Sequence, residues 1–382
     1  MAEVITCIED LRRLAQKRVP RAFYDYADSG SYSEGTYRAN TYDLDAIRIR
    51  QRVAINVDKR NTASTMIGQP VTMPVAIAPT GLTGMQWVDG EMLGARAAER
   101  FGVPFTLSTM SICSIEDVAG FTTNPFWFQL YVMRDRGFVL DMIARAKAAK
   151  CSALVLTLDL QILGQRHKDL KNGMTVPPKI TLSNLLDIAG KPGWAIRMLG
   201  ARRKTFGNLA GYMKGNDGVV TLSKWVASQF DPTLSWNDIE WIKSQWGGKL
   251  VLKGIQDPED ARIAATVGAD AMIVSNHGGR QLDGAHSSIH ALPRVLDAVG
   301  DKIEVWMDGG IRSGQDLLKA LAMGAQGTMV GRAFLFGLGA LGEQGVTRML
   351  EIIRSELDVS MALAGVSDVR KLDRSVLEST GL

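Results

Sequence analysis

Residues 250–280 read LVLKGIQDPEDARIAATVGADAMIVSNHGGR. Two short apolar runs, Leu250–Gly254 and Ala271–Ser275, flank Pro258–Val267, a stretch rich in alanine and charge with helical composition. A strand, a helix and a second strand in that order imply parallel pairing through a right-handed crossover. The same unit recurs on both sides. Val75–Pro79, Phe105–Thr109, Trp127–Val132 and Ala153–Leu158 precede it, and Glu304–Met307 and Thr328–Val330 follow, making eight candidate strands. Helices are expected over Gly90–Phe101, Asp135–Ala149, Ser235–Trp246 with its Ser-x-x-Asp cap, and Gln315–Met323. Eight such units predict a closed (β/α)8 (TIM) barrel of α/β class rather than an open sheet.

Ahead of the barrel, Thr6-Cys-Ile-Glu9 fits a capping box for a helix running to about Arg18, which Pro20 closes. A short helical or turn region carrying Tyr24 and Tyr26 follows. The 382 residues are expected to form one elaborated domain: an N-terminal helical extension, a barrel over about 75–340, and an insertion over about 179–220 between the fourth and fifth strands.

Apolar residues make up 46% of the chain and charged residues 22%, which describes a folded protein rather than a disordered one. The net charge of +4 is small against 44 basic and 40 acidic side chains, so nucleic-acid binding is not expected. Cys7, Cys113 and Cys151 are odd in number and widely spaced, suggesting neither a disulfide framework nor a zinc site, and a reducing compartment. The first residues carry Glu9 and Asp10 where a signal peptide needs an unbroken apolar core, and no later run reaches the length of a membrane span. A cytoplasmic location, or a peripheral one on the cytoplasmic face of the inner membrane, is the expectation.

Within the insertion, Lys179–Lys214 mixes Leu182, Leu185, Leu186, Trp194, Ile196 and Leu199 with Lys191, Arg197, Arg202, Arg203 and Lys204. That composition suits a membrane-surface anchor, with apolar groups for the acyl boundary and cations for anionic headgroups. It equally suits an active-site lid, or an oligomer contact, with a solvated basic face.

Chemistry in a TIM barrel sits at the carboxyl ends of the strands. Here those ends carry Pro79-Thr80-Gly81, Ser108 with Met110, Gln129 and Tyr131, Thr157 and Asp159, Lys253, Ser275-Asn-His-Gly-Gly-Arg280, Asp308-Gly-Gly-Ile-Arg312, and Gly331-Arg332. Gly310, Arg312, Gly331 and Arg332 fall after the seventh and eighth strands, where phosphate sites recur in these barrels, and together read as an anion site. His277 ends an apolar strand beside glycines and Arg280. There an imidazole can act as a general base near neutral pH while a guanidinium holds a carboxylate. His167, His286 and His290 read as ordinary structural or exposed histidines. No Cys or His pairs stand at metal spacing, and no G-x-G-x-x-G follows the first strand, which disfavours a metal site and a Rossmann nicotinamide site. Lys253 suits either Schiff-base chemistry or stabilisation of negative charge on a cofactor.

Pro79-Thr80-Gly81, Phe128-Gln-Leu-Tyr131, Thr157-Leu-Asp159, Leu252-Lys-Gly254, Ser275–Asp283, and Asp308–Arg312 followed by Gly331-Arg332 together resemble the FMN-dependent L-2-hydroxy acid oxidase and dehydrogenase family. Within it the chain is most similar to the bacterial membrane-associated L-lactate dehydrogenases. The resemblance implies FMN at the barrel mouth, bound in part by Pro79, Thr80 and Gly81, with the backbone near Thr80 and Gly81 facing its reactive edge. It implies that Ser108, Gln129, Thr157, Lys253 and Ser275 bond its ring and ribityl groups, and that Asp308, Gly310, Arg312, Gly331 and Arg332 serve the same cofactor. Arg280, Tyr26 and Arg166 would hold the substrate carboxylate, Tyr131 the hydroxyl, and Asp159 the far nitrogen of the base His277. Removal of the C2 proton and removal of the hydroxyl proton with hydride transfer use the same residues. Gly81 and Met110 would line the side-chain pocket, favouring a small aliphatic acid such as L-lactate. A membrane quinone or similar acceptor would take the electrons; the alternatives are an oxygen-using oxidase and an L-mandelate dehydrogenase. No haem domain is expected ahead of the barrel, and the family's habit suggests a homotetramer.

Overall fold

The computed structural model describes residues 4–174, 181–212 and 228–378. Ten strands follow in order: β1 (Ser64–Met66), β2 (Gln69–Val71), β3 (Val75–Ile77), β4 (Thr106–Ser108), β5 (Trp127–Tyr131), β6 (Ala153–Thr157), β7 (Lys249–Ile255), β8 (Ala271–Val274), β9 (Glu304–Asp308) and β10 (Gly327–Val330). Strands β3 to β10 are parallel and hydrogen-bonded in the order β3-β10-β9-β8-β7-β6-β5-β4. A parallel bridge between Ile77 and Phe105, with the Ile77 amide donating to the Pro104 carbonyl at 2.8 Å, joins β3 to the segment entering β4 and closes the barrel.

Strand side chains alternate between two faces, and that period alone builds both the core and the site. Ala76, Trp127, Ala153, Val155, Val251, Ala271, Ile273, Trp306 and Met329 pack with one another as a separate buried cluster. Trp127 and Trp306 stack within it at 5.4 Å between ring centroids. The antiparallel pair β1–β2 contributes Met66, Ile67 and Val71 to the same cluster. Two residues further along their strands come Gln129, Thr157, Lys253, Ser275 and Asp308, so the layer above the apolar one is polar. The opposite faces of the strands, with Phe128, Leu154, Leu156, Leu252, Met272 and Met307, join the larger core beneath the helices.

Helices lie close to where they are expected: Gly90–Phe101, Arg136–Ala148, Trp236–Trp246 capped by Ser235 with Asp238, Pro258–Ala264 and Gly314–Ala322. The first helix, Ile8–Arg18, is capped one residue later than the sequence suggests. Asp10, not Glu9, takes the reciprocal place, accepting from the Thr6 and Cys7 amides at 2.8 and 3.2 Å. Glu9 instead pairs with Arg12 and Arg13. Tyr24 and Tyr26 lie on a helix over Arg21–Ala27. The helices Gly35–Ala46, Ser288–Val299, Arg332–Leu341 and Glu343–Leu363 complete the surround.

The insertion contributes two helices, Leu182–Ala189 and Pro192–Leu199. Their inner side is seated on the protein. Trp194 is buried, stacks on Phe23 at 5.4 Å, and its indole N–H donates to the Met85 carbonyl at 2.9 Å. Several of the segment's cations are already engaged. Lys191 donates to the Gln16 and Lys17 carbonyls, Arg197 lies 3.8 Å from the Trp87 ring centroid, and Arg203 bridges Asp89 and Asp117. Arg202 and Lys204 are exposed, while Lys179 and Lys214 lie outside the described residues.

Candidate active site

A cavity of about 590 Å³ opens at the carboxyl end of the barrel. Its wall brings together Tyr26, Pro79, Thr80, Gly81, Met110, Tyr131, Arg166, Lys253, His277, Arg280, Asp308, Gly310, Arg312, Gly331 and Arg332, all singled out from sequence. Asp159, Ser108, Gln129, Thr157 and Ser275 are not part of that wall; they stand behind it, the last four almost fully buried. His167, His286 and His290 lie outside the cavity wall, and His286 and His290 stack on each other at 4.4 Å.

His277 follows β8 with a backbone φ of 56°, and Gly278 and Gly279 continue the left-handed run at 65° and 73°. A non-glycine residue held there is strained, and such strain persists where surroundings fix the residue in place. The fixing contacts are visible. The His277 amide donates to the Ser275 hydroxyl at 3.1 Å, and Nδ1 lies 2.9 Å from Asp159 Oδ1. A Cβ on Gly278 would come within 2.5 Å of an Arg332 guanidinium nitrogen, so the turn also clears space for that cation.

Asp159 owes its place to β7. That strand shifts register between Lys253 and Ile255, where Gly254 has a φ of 107°. A Cβ there would sit 2.7 Å from the Asp159 carboxyl carbon. Burial would raise the Asp159 pKa, but the facing His277 and Lys253 outweigh it and hold the carboxyl below its ordinary value. An ionised Asp159 accepts from Nδ1–H, which leaves Nε2 as the basic nitrogen.

Lys253 is buried, 2.9 Å from Asp308 and 2.8 Å from the Ser275 hydroxyl. Burial disfavours its charge, yet Asp308 and Asp159 keep its pKa above the ordinary lysine value. A lysine so paired stays an ammonium, which suits charge stabilisation rather than Schiff-base chemistry.

The cations at the mouth are held by the N-terminal extension. Arg280 donates to the Tyr26 carbonyl at 2.5 Å and to the Ser29 carbonyl and hydroxyl at 3.2 Å. Arg332 donates to the Ala27 and Ser29 carbonyls at 3.1 and 2.6 Å. Neither forms an ion pair among the described residues. Burial pushes the pKa of Arg332 down, and the neighbouring Arg312 and Arg280 add to that push. Buried cations crowded together without a carboxylate partner form a site for an anion. The glycine at 310 has a further reason to be there: a Cβ would meet the Asn40 carbonyl at 2.2 Å, so helix Gly35–Ala46 packs directly on this loop.

These features fit FMN. Arg312 and Arg332 would supply charge for its phosphate, while Gln129 Nε2, Thr157 Oγ1 and Asp308 Oδ1 are buried polar atoms without partners among the described residues and would be available to a polar ring. Among the described residues no group of three or more His, Cys, Asp or Glu is placed to hold a metal.

Three residues that the sequence did not single out belong to the same structure. Glu91 is buried and accepts from the Gly84 and Ile112 amides, tying the loop after β3 to the loop after β4. Asn208, also buried, bonds the Ser108 and Thr109 carbonyls and the Ile115 amide. Asp169 pairs with Arg166 at 2.5 Å.

The FMN-dependent dehydrogenase family model matches residues 15–379. L-lactate dehydrogenase of Caulobacter sp. (strain K31) is 46% identical over 99% of each chain, and that of Ectopseudomonas mendocina (strain ymp) 43% identical over 98% of this chain and 99% of its own. Among solved structures, the monotopic membrane protein (S)-mandelate dehydrogenase is 34% identical with a TM-score of 0.92, covering 98% of this chain and all of that one. A soluble mutant of the membrane-associated (S)-mandelate dehydrogenase from Pseudomonas putida is 34% identical with a TM-score of 0.84. Matched by this family model over residues 15–379 and by relatives over nearly its whole length, with an eight-stranded barrel and a cation-lined cavity at its carboxyl end, the chain belongs to the FMN-dependent dehydrogenase family.

Proposed function

We propose that the protein oxidises L-lactate to pyruvate and passes the electrons to a quinone at a membrane surface. The observation that carries this reading is the convergence of His277, its nitrogen oriented by Asp159, with Arg280, Arg166 and Tyr131 on one cavity wall. FMN, when bound, supplies the two-electron acceptor. Arg280 and Arg166 hold the substrate carboxylate, and Tyr131 bonds its hydroxyl. Burial, with Asp159 close by, pushes the Tyr131 pKa up, so its phenol stays protonated and available as a donor. His277 Nε2 takes the proton as electrons leave C2, and Asp159 stabilises the imidazolium that forms. Lys253 offsets negative charge accumulating beneath the substrate.

A small substrate is supported by the relatives named L-lactate dehydrogenase, at up to 46% identity. Glycine at position 81 serves the backbone: a Cβ there would lie 3.2 Å from Met110 Cβ and 3.3 Å from the Tyr26 hydroxyl, so its absence lets the loop after β3 pass close to both.

Membrane contact is supported by the insertion's outer side. Leu182, Leu186, Ile196 and Leu199 are 66–79% exposed, clustered on two short helices beside exposed Arg202 and Lys204. Among the described residues no helix is long and apolar enough to cross a membrane, so contact would be with the surface.

Turnover tests the reading. With L-lactate and a short-chain quinone, purified protein should form pyruvate without consuming oxygen. Oxygen uptake with peroxide formation would make it an oxidase, and absence of pyruvate with either acceptor would contradict the proposal.

A further inference from the structure

We infer that Asp169 sets the charge of the carboxylate subsite and so selects monocarboxylic over dicarboxylic 2-hydroxy acids. The inference rests on the function proposed above and concerns the same cavity.

Arg166 precedes a one-and-a-half-turn helix, His167–Lys171, and Asp169 is three residues on, the spacing at which helical side chains meet. The two form an ion pair at 2.5 Å, with side chains only 12% and 8% exposed, and both line the cavity. The pair is local, formed between residues three apart. Asp169 uses one carboxylate oxygen for this contact; the other, Oδ1, is buried with no partner among the described residues.

Arg280 stands close by. The Arg166 and Arg280 guanidinium carbons lie 5.9 and 4.8 Å from the centroid of the same Tyr26 ring. Two guanidiniums on one subsite give a charge of +2, and a single substrate carboxylate would leave one unit of positive charge buried. Asp169 removes that unit. Arg166, Arg280, Asp169 and one carboxylate sum to zero, whereas a second carboxylate on the substrate would bring a net negative charge into a water-poor site that already holds an unsatisfied carboxylate oxygen. Discrimination then comes from repulsion as much as from attraction. Asp169 also fixes the direction of Arg166, leaving its terminal nitrogens for the substrate, so it is a positioning residue as well as a specificity determinant.

The test compares L-lactate with L-malate, the same 2-hydroxy acid bearing a second carboxylate, in anaerobic flavin bleaching by the holoenzyme. For Asp169→Asn the ratio of second-order rate constants, malate over lactate, should rise roughly tenfold or more, the size expected of one unit charge across a few ångströms of partly screened interior. Asp169→Glu, which keeps the charge, should hold the wild-type ratio. Arg166→Met changes the same sum in the opposite direction and should lower the ratio; it serves in its own right if Asp169→Asn fails to retain FMN. An unchanged ratio in Asp169→Asn, or in Arg166→Met where that variant stands in, overturns the inference while leaving the proposed function intact. Failure of the wild type to bleach with L-lactate removes the proposed function, and the inference with it.

Discussion

The imidazole of His277 lies 2.9 Å from the carboxylate of Asp159, across a gap that exists because residue 254 of the neighbouring strand is glycine. Asp159→Asn would let the imidazole take the wrong tautomer without moving it. FMN should remain bound while kcat falls by roughly 10²–10⁴, measured by turnover against flavin content.

Gly254→Ala tests the same pair from the backbone side. The new methyl would meet Asp159 at 2.7 Å in a strand turn with φ of 107°. Strain of about 1–3 kcal/mol is expected, read as a lowered Tm, together with a loss of kcat. A variant with a lowered Tm and an unchanged kcat would mean that Asp159 tolerates displacement.

Lys253 and Asp308 form a buried pair at 2.9 Å. Lys253→Met leaves Asp308 uncompensated at the cavity wall, so about 3–5 kcal/mol of stability should be lost and the protein should purify with little FMN. Lys253→Met with Asp308→Asn should recover part of the stability but not the rate of flavin reduction.

Glu116 and Arg145 make a bidentate pair, both contacts at 2.7 Å, and Arg145 also donates to the Asn208 carbonyl where the insertion returns to the barrel. The pair, working against burial, lowers the Glu116 pKa from 4.5 to about 2. A depressed carboxyl stabilises the fold above its unfolded value and loses that contribution as pH falls through its folded one. Because Glu116 is more than half exposed, the contribution is discounted to about 1 kcal/mol. Glu116→Gln should therefore be less stable by that amount at neutral pH, with the difference closing between pH 4.5 and 2 in urea titrations.

Replacing Leu182, Leu186 and Leu199 together with Gln should reduce binding to anionic vesicles while leaving anaerobic reduction by L-lactate unchanged. These side chains are 66–79% exposed and are not among the residues lining the cavity. Deleting the whole segment is a poorer test, since it would also remove Trp194, Arg203 and Asn208, which hold the protein from inside.

The barrel was legible because its signals are local: eight apolar runs with helical stretches between them, and reactive residues where each run stops. Gln129, Thr157, Lys253, Ser275 and Asp308 were legible for the same reason, since two-residue alternation carries each strand from its apolar layer into the polar one. What escaped was long-range. Nothing near Asn208 in sequence shows that it bonds Ser108 and Thr109, a hundred residues earlier. The cap of the first helix slipped by one residue because Thr6 and Cys7 both offer an amide to Asp10. The insertion read as a basic, amphipathic segment, because a sequence cannot tell a free cation from Arg203 paired with Asp89 and Asp117. Asp169 had a local signal in its spacing from Arg166, but an i,i+3 ion pair is an ordinary helix feature until both partners are seen to line a cavity.

Whether His277 is the base for oxidation of an L-2-hydroxy acid is decided by anaerobic mixing of the holoenzyme with L-lactate and D-lactate, in wild type and His277→Gln. Visible flavin absorbance should be lost rapidly with L-lactate and not with D-lactate, and bleaching should slow by roughly 10²–10⁴ in the variant with FMN still bound. Bleaching of His277→Gln at the wild-type rate would mean that another group takes the proton, and equal bleaching of the wild type by both enantiomers would mean that the site does not select the L-acid.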